Sequence, residues 1–384
     1  MTASRPIEIL ERLIAFPTVS RESNLALIDY VRALLAPLGA RLTLVHNAAG
    51  TKANLHAVLG PPGGGGVLLS GHTDVVPVEG QAWSTDPFRL TARGDHLLGR
   101  GSCDMKGFLA CVLAAAEAAA TRRLDRPLHL AFSYDEEIGC VGVRGLIERL
   151  IGADDLPALC IIGEPTMLET VVAHKGKLAA RLTCRGQECH SSHAPEGLNA
   201  IHLALDMVGE MRALQDELAA GPRDDAYAVP FTTVHAGTIQ GGTALNIVPN
   251  GCTVDFEIRN LPTDDPALLM DRLFDKAAAL TRAAQARFAG TGAAIDIVNA
   301  YPGLETPPEA EVVALLRRLN GEGPLRKIAF GTEGGLFHEK LGITTVVCGP
   351  GDIRDAHKPD EYVSRDQLAR CEVMLARLVD EISA

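Results

Sequence analysis

The sequence predicts an α/β protein in which helices sandwich a mixed, mostly parallel sheet, with a smaller ferredoxin-like α+β domain inserted into it. Short apolar runs alternate with segments of helical periodicity over residues 1–176, which is typical of a parallel sheet covered on both faces. From residue 177 to about residue 300 the order becomes strand, helix, strand, strand, helix, strand. That is the order of a ferredoxin-like unit.

The elements of the first part follow from the spacing of apolar residues. Helices are expected over residues 6–15, 24–38 and 107–120, and strands over residues 41–46, 54–59, 67–70, 128–133 and 158–162. Pro61 and Pro62, followed by four glycines, indicate a surface loop between two of these strands.

The second part is complete in itself. Its expected strands and helices cover residues 178–184, 199–214, 231–239, 252–258, 266–287 and 294–298. We therefore interpret residues 177–300 as a domain inserted into another domain, which consists of residues 1–176 and 301–384. The outer domain is expected to resume near Tyr301 with a helix and to contain a later strand over residues 344–348.

Composition limits the classes of partner. The 384 residues are 47% hydrophobic and 22% charged, which indicates a globular chain of more than one domain. A net charge of −12 and only 4% aromatic residues argue against nucleic acid or an anionic membrane as partner. The N-terminal residues lack the pattern of a secretory signal, and no apolar segment is long enough to span a membrane. Nine cysteines without CxxC spacing suggest reduced thiols, so we expect a cytoplasmic protein.

Imidazoles and carboxylates recur where predicted strands end or in glycine-rich turns. They are His72 and Asp74 in SGHTDVVP, Asp104 in GRGSCDMKG, Glu136 and Glu137 in FSYDEEIG, Glu164 in IIGEPT and His357 in DAHKPDE. The carboxyl ends of parallel strands open onto one crevice, so these side chains can converge there. Each position alone is more often a solvated loop residue than a ligand, and the specificity lies in the set.

The set suits a pair of zinc ions. Zinc binds imidazole nitrogen and carboxylate oxygen, and two ions about 3.5–4 Å apart need a carboxylate that bridges them. If Asp104 bridges, His72 and Glu164 complete one site, and Glu137 and His357 complete the other.

Two further carboxylates then have different expected roles. Glu136 is left without a metal beside the ligands, which is where hydrolysis requires a general base. Asp74 lies two residues beyond His72, on the same side of an extended strand, and can orient the imidazole. Asp135 is expected to be a loop acid or a structural partner.

Seven segments carry a resemblance to a known family. They are SGHTDVVP, GRGSCDMKG, DEEIG, GEPT, the HSS of CHSSHAP, GGTALNIVP and AHKPDE. In their order and approximate separations, the chain resembles the di-zinc metallopeptidases and deacylases that include acetylornithine deacetylase, succinyl-diaminopimelate desuccinylase, aminoacylase and carboxypeptidase G. The match covers nearly the whole chain. DEEIGCVG, GTEGGLF and VVCGPGDIRDAHKPDE look most like the acetylornithine deacetylase branch.

The resemblance implies the same metal ligands and general base, and a cis peptide bond after the bridging aspartate. It also implies a homodimer through the inserted domain, which serves as a lid. His190 is expected to reach the active site of the partner subunit and stabilise the oxyanion. Asn246 and Arg259 are expected to bind the substrate carboxylate, and Gly331 and Thr332 to lie in a loop that closes over the substrate.

The implied activity is hydrolysis of an N-acyl amino acid with two Zn²⁺ per subunit, which Co²⁺ can replace. N2-acetyl-L-ornithine is the expected substrate, as in arginine biosynthesis, and acetylcitrulline, succinyl-diaminopimelate or a dipeptide are alternatives. Glu333 either contacts the side-chain ammonium group of the substrate or caps a helix. A non-catalytic metal-binding protein is less favoured because Glu136 would have no structural role. Nucleotide binding is supported only by the Gly63–Gly66 run, which lacks the rest of a phosphate-binding motif.

Overall fold

The computed structural model describes residues 4–384, which form two compact units. The first unit contains residues 4–173, 304–327 and 332–384. The second unit contains residues 174–303 together with the short segment 328–331. The chain therefore passes twice from the first unit to the second and twice back.

Helices and strands alternate along much of the chain. Before the second unit they are α1 (Arg5–Ile14), α2 (Leu25–Leu35), β1 (Arg41–His46), β2 (Ala53–Leu59), β3 (Val67–His72), β4 (Thr91–Arg93), β5 (His96–Leu98), α3 (Lys106–Ala119), β6 (Leu128–Ser133), α4 (Val143–Leu150), β7 (Leu159–Pro165) and β8 (Val171–His174). Then follow β9 (Lys177–Arg185), α5 (Ala200–Ala220), β10 (Thr233–Gly241), β11 (Gly251–Arg259), α6 (Pro266–Gln285) and β12 (Gly292–Tyr301). The last are β13 (Leu304–Glu305), α7 (Glu311–Asn320), β14 (Arg326–Ile328), α8 (Gly334–Leu341), β15 (Thr344–Gly349), β16 (Tyr362–Ser364) and α9 (Arg365–Glu381).

The first unit is built on a mixed sheet with the strand order β1-β2-β6-β3-β7-β15-β8-β13, and β14 pairs with β8. The four central strands, β6, β3, β7 and β15, are parallel. Strands β1 and β2 continue the sheet in antiparallel fashion at one side, and β8 does so at the other. The predicted α/β class with a mixed central sheet is confirmed. Every residue of β2, β3, β6 and β7 is buried, which explains their near-continuous apolar composition.

The register of the parallel strands places the ends of β3, β6 and β7 side by side. His72 pairs with Ser133, and Ser70 pairs with Ile162, so Glu164 lies level with His72 on the neighbouring strand. Gly163 allows α3 to approach this edge, because a Cβ atom there would lie 1.9 Å from the ring of Phe108. The candidate functional side chains therefore lie at the edge of the packed core, where the central strands end.

The second unit has its own hydrophobic core. Its antiparallel sheet has the order β10-β11-β9-β12, and α5 and α6 pack against it. Burial alternates along β11, which is typical of a sheet with one covered face. The predicted sequence of strand, helix, strand, strand, helix, strand is present, although α5 continues to Ala220 instead of ending at residue 214.

Some elements differ from the sequence predictions. The expected helix near Tyr301 is wrong, because Tyr301 ends β12 and the next helix, α7, begins only at Glu311. The three-stranded sheet β16-β5-β4 was not predicted. All nine cysteines are free of disulfide bonds, as expected, and eight of them are buried. Within residues 4–384 no helix has both the length and the apolar composition needed to cross a membrane.

Candidate metal centre

The structure gathers all the predicted metal ligands at the carboxyl edge of the central sheet. His72 is the last residue of β3 and Glu164 lies near the end of β7. Asp104 lies just before α3, Glu137 follows β6, and His357 lies in the loop before β16. All five belong to the first unit. The peptide bond between Asp104 and Met105 is cis.

Asp104 contacts both imidazoles with different oxygen atoms. Its Oδ1 lies 2.9 Å from Nε2 of His72, and its Oδ2 lies 3.2 Å from Nε2 of His357. Glu164 Oε1 lies 3.7 Å from the His72 nitrogen, and Glu137 Oε2 lies 3.1 Å from the His357 nitrogen. The contacts thus divide into two neighbouring groups that share Asp104.

The donor set fits divalent cations. Two triplets of donor atoms lie within 4.8 Å of one another: His72 with Glu136 and Glu164, and His72 with Asp104 and Glu137. Imidazole nitrogen and carboxylate oxygen at such spacing are typical of zinc sites. Four carboxylates packed this closely also repel one another unless positive charge lies between them.

The pKa values follow this crowding. Burial and the neighbouring Asp104 carboxylate raise the pKa of Glu137 to about 7. Burial raises the pKa of Asp104, but hydrogen bonds from His357 and His72 outweigh it and hold the value below its usual range. Hydrogen bonds to Asp104 and Glu137 raise the pKa of His357 to about 10. The cluster therefore attracts positive charge.

Asp74 holds two parts of the cluster. Nδ1 of His72 lies 2.9 Å from the backbone oxygen of Asp74 and 3.5 Å from its Oδ1. The Asp74 carboxylate also accepts hydrogen bonds from the Ser20 hydroxyl (2.7 Å) and from the backbone N–H of Glu136 (3.1 Å) and Glu137 (3.4 Å). It therefore orients the imidazole and positions the Glu136–Glu137 segment, which is more than the sequence indicated.

Glu136 lies beside the ligands and is partly exposed. Its Oε1 accepts a hydrogen bond from the Cys140 thiol at 3.2 Å. Burial raises its pKa to about 8, an effect that His72 opposes and the Glu137 carboxylate reinforces. The adjacent Asp135 instead forms a buried ion pair with Lys52 (2.6 Å) and accepts a hydrogen bond from the backbone N–H of Arg21. Asp135 is thus the structural partner that was expected as one alternative.

Glu333 does not cap α8, which begins immediately after it. Its side chain makes no capping hydrogen bond, and the Thr332 hydroxyl accepts one from the N–H of Gly334 instead. Glu333 is only 1% exposed, and its Oε2 lies 3.4 Å from the Ser70 hydroxyl. Its Oε1 has no hydrogen-bond partner within residues 4–384. Burial raises its pKa to about 7.

Four other candidate residues, His190, Asn246, Arg259 and Gly331, belong to the second unit, whereas Thr332 is a buried residue of the first unit. His190 is exposed and its Nδ1 contacts the Ser192 hydroxyl at 2.8 Å. The backbone oxygen of Asn246 accepts a hydrogen bond from the N–H of Ser191, so the two segments adjoin.

Arg259 and Gly331, also in the second unit, both lie against Tyr301. The guanidinium of Arg259 contacts the Tyr301 hydroxyl at 3.4 Å and Glu257 at 3.0 Å. A Cβ atom at Gly331 would lie 2.2 Å from the Tyr301 ring. A larger residue at position 331 therefore requires the ring to move.

Three polar residues near the metal ligands were not predicted as functional. Gln81, Arg100 and Glu361 form a hydrogen-bonded line beside the cluster. Arg100 lies in GRGSCDMKG and Glu361 ends AHKPDE, so both stand inside the segments that carried the resemblance. Nothing in the sequence shows that they contact each other, because they lie 261 positions apart.

Comparisons with known proteins identify the family and similar folds. Peptidase family M20/M25/M40 matches residues 68–381. An acetylornithine deacetylase of Myxococcus xanthus is 39% identical over 375 residues, covering 96% of this chain and 95% of that protein. An acetylornithine deacetylase of Pasteurella multocida is 33% identical over 382 residues, covering 98% and 97%. The crystal structure of an M20 family metallo-carboxypeptidase from Sulfolobus solfataricus shares the fold, with a TM-score of 0.78 at 20% identity, covering 98% of this chain and 99% of that one.

Proposed function

The chain belongs to peptidase family M20/M25/M40, and from this premise we propose that it hydrolyses N2-acetyl-L-ornithine to acetate and L-ornithine. The observation that carries the proposal is the contact of Asp104 with both His72 and His357, next to Glu136. The full-length similarity to acetylornithine deacetylases supports this substrate.

Two divalent cations, Zn²⁺ or a substituting Co²⁺, would be held by this cluster. His72, Asp104 and Glu164 would hold one, and Asp104, Glu137 and His357 the other. When bound, such cations polarise the amide carbonyl and lower the pKa of a water molecule. The protein contributes the ligand positions, because Asp74 contacts Nδ1 of the His72 ring and so directs its Nε2 towards Asp104.

Glu136 would move the proton. Its carboxylate accepts a proton from the attacking water and returns it to the departing amine nitrogen. Two contacts hold it in place: its own backbone N–H donates to Asp74, and Cys140 donates to its Oε1. Burial and the neighbouring Glu137 carboxylate raise its pKa, which suits a group that must accept a proton during the reaction.

The second unit would bind the substrate carboxylate and complete the site across a homodimer. Arg259 and Asn246 suit the α-carboxylate, since a guanidinium matches a planar carboxylate. His190 of one subunit would stabilise the oxyanion in the other. The segment with Gly331, in the second unit, and Thr332, in the first unit, would close over the substrate. Exposure of His190 and of Asn246 supports these roles, and so does the family relationship.

The ornithine side chain ends in an ammonium group, and Glu333 is its proposed partner. Glu333 is a buried carboxyl group whose Oε1 has no hydrogen-bond partner within the geometric limits among residues 4–384. The Ser133 hydroxyl lies near enough to lower its pKa, and His72 and Asp74 are the charged groups that act most on that pKa. A buried carboxylate without a cation is costly, and a bound ammonium group offsets that cost.

A substrate panel tests the proposed function. We expect the purified protein to contain two divalent cations per chain, to release acetate from N-acetylornithine and to lose activity with a chelator. N-acetylcitrulline, N-succinyl-diaminopimelate and dipeptides should be hydrolysed at least tenfold less efficiently. Full activity after thorough chelation would contradict the metal mechanism, and a preference for another substrate would contradict the assignment to acetylornithine.

A further inference from the structure

A buried carboxylate holds the backbone that carries Asp104. Oε1 of Glu361 accepts hydrogen bonds from the backbone N–H groups of Cys103 (3.0 Å) and Asp104 (3.1 Å). Glu361 is 0% exposed, so water does not compete for these bonds. Its position follows from the fold: β16, which begins at the next residue, pairs with β5, and the Glu361 carbonyl accepts a hydrogen bond from the N–H of Gly99.

Arg100 pairs with the other oxygen of this carboxylate. Its Nη1 lies 2.6 Å from Glu361 Oε2, and both side chains are about 1% exposed. A buried ion pair is costly to desolvate and is weak evidence of stabilisation by itself. The pair adjoins the backbone of Asp104, so a role in arranging the acidic cluster accounts for its position better than stabilisation does.

Gln81 extends the line to His357. Its Oε1 accepts hydrogen bonds from Arg100 Nη2 and from Trp83 Nε1 (3.1 Å), and its Nε2 donates to the backbone oxygen of His357 at 3.0 Å. The Trp83 ring lies 5.0 Å from the Arg100 guanidinium carbon. Trp83 is the only tryptophan in the chain, so a change in tryptophan fluorescence indicates a change in the surroundings of this residue beside Arg100 and Gln81.

The line thus joins two backbones whose side chains meet. At one end Glu361 holds Asp104, and at the other Gln81 holds His357. The two side chains lie 3.2 Å apart through Asp104 Oδ2 and His357 Nε2. His357 is exposed and has a positive φ of 60°, a backbone conformation that a residue other than glycine keeps only where surrounding contacts impose it.

We propose that Gln81, Arg100 and Glu361 are positioning residues that set the separation of Asp104 and His357 and so set the affinity of the cluster for divalent cations. The inference rests on the metal site of the proposed function. It assigns these residues no contact with substrate. Partners that orient metal ligands typically change metal affinity or activity by about 10–100-fold when they are removed.

The test measures metal binding without substrate. Zn²⁺ is titrated into the chelator-treated full-length protein, with calorimetry to give the affinity and Trp83 fluorescence as a second signal. We expect Trp83 fluorescence of the unsubstituted protein to change with the same Zn²⁺ dependence as the heat. Gln81→Leu should lower the affinity at least tenfold while its melting temperature without metal stays within a few degrees. Gln285→Leu, the same substitution at an exposed position at the end of α6, is the matched control.

A second variant separates positioning from simple loss of packing. Gln81→Glu keeps an oxygen that can accept from Arg100 and Trp83 but loses the donor to the His357 carbonyl. It should weaken Zn²⁺ binding and shift the visible absorption of the Co²⁺-loaded protein. Unchanged Zn²⁺ affinity in both Gln81 variants would overturn the inference. If the unsubstituted protein binds no Zn²⁺, the proposed function fails instead.

Discussion

The backbone oxygen of Asp74, and not its carboxylate, is the closest acceptor for Nδ1 of His72. The distances are 2.9 Å to the backbone oxygen and 3.5 Å to Oδ1. The imidazole therefore keeps an acceptor that no substitution at position 74 removes. The carboxylate is left to hold the N–H groups of Glu136 and Glu137.

Asp74→Ala should therefore reduce kcat more than metal binding. The His72 ring keeps its backbone partner, whereas the segment with the proposed base loses its anchor. We expect kcat to fall about 100-fold and Zn²⁺ affinity to fall about tenfold or less. Steady-state kinetics and calorimetry measure the two quantities separately. Loss of all bound Zn²⁺ would show that orienting His72 is the main role of the carboxylate.

Glu136→Gln should abolish most of the activity and leave the metals bound. The amide has nearly the same size but cannot accept a proton, and removal of general-base catalysis costs about 10²–10⁴-fold. Metal analysis of the purified variant checks occupancy. Glu137→Gln is the matched control, because Glu137 Oε2 contacts His357 and should be a metal ligand. If Glu136→Gln also loses metal, Glu136 is a ligand and not the base.

The sequence predicted strands that carry an apolar run or an alternation of apolar and polar residues. Strands β1 and β6 were predicted with the bounds that the structure has, and β3 was predicted two residues too short because it ends on the polar His72. The short strands β4, β5 and β16 have only three residues each and mixed burial, so neither alternation nor an apolar run marks them.

Contacts between residues far apart in the sequence limited how much of the candidate site could be predicted. Ligand chemistry and strand ends were enough to select His72 and Glu164, because both lie at the edge of the central sheet. The link between Gln81 and the His357 carbonyl joins residues 276 positions apart in loops, and no periodic pattern records it. Such contacts depend on tertiary structure alone.

Glu333→Gln should change selectivity. The proposed partner of the Glu333 carboxylate is the ammonium group of acetylornithine, so removal of the charge should lower kcat/KM for this substrate at least tenfold. The value for N-acetylmethionine, a neutral analogue of similar length, should change less than threefold. Glu333→Asp should retain part of the selectivity. Equal losses on both substrates would mean that the buried Glu333 supports the metal cluster and does not bind the ammonium group of the substrate.

Acid should destabilise the protein through His56 and His129, which face each other across β2 and β6. His56 Nε2 lies 3.2 Å from His129 Nδ1, and the stacked rings are 5.4 Å apart. Burial lowers the pKa of each to about 4. Because the folded pKa lies below the unfolded value, the folded state binds fewer protons. The stability that the two neutral histidines contribute is fully present above about pH 6.5 and is lost as the pH falls towards 4.

The size of this effect at pH 5 is roughly 2 kcal/mol for each histidine, with the two not strictly additive because they contact each other. Urea unfolding of the chelator-treated protein between pH 7 and pH 5 measures it. His129→Gln should reduce the pH dependence, since one titrating group is removed and the His56 ring no longer faces a second imidazole. His96→Gln, at an exposed histidine stacked on Tyr362, should leave the dependence unchanged. An equal pH dependence in both variants would place the acid sensitivity elsewhere, for example in the crowded carboxylates beside His72.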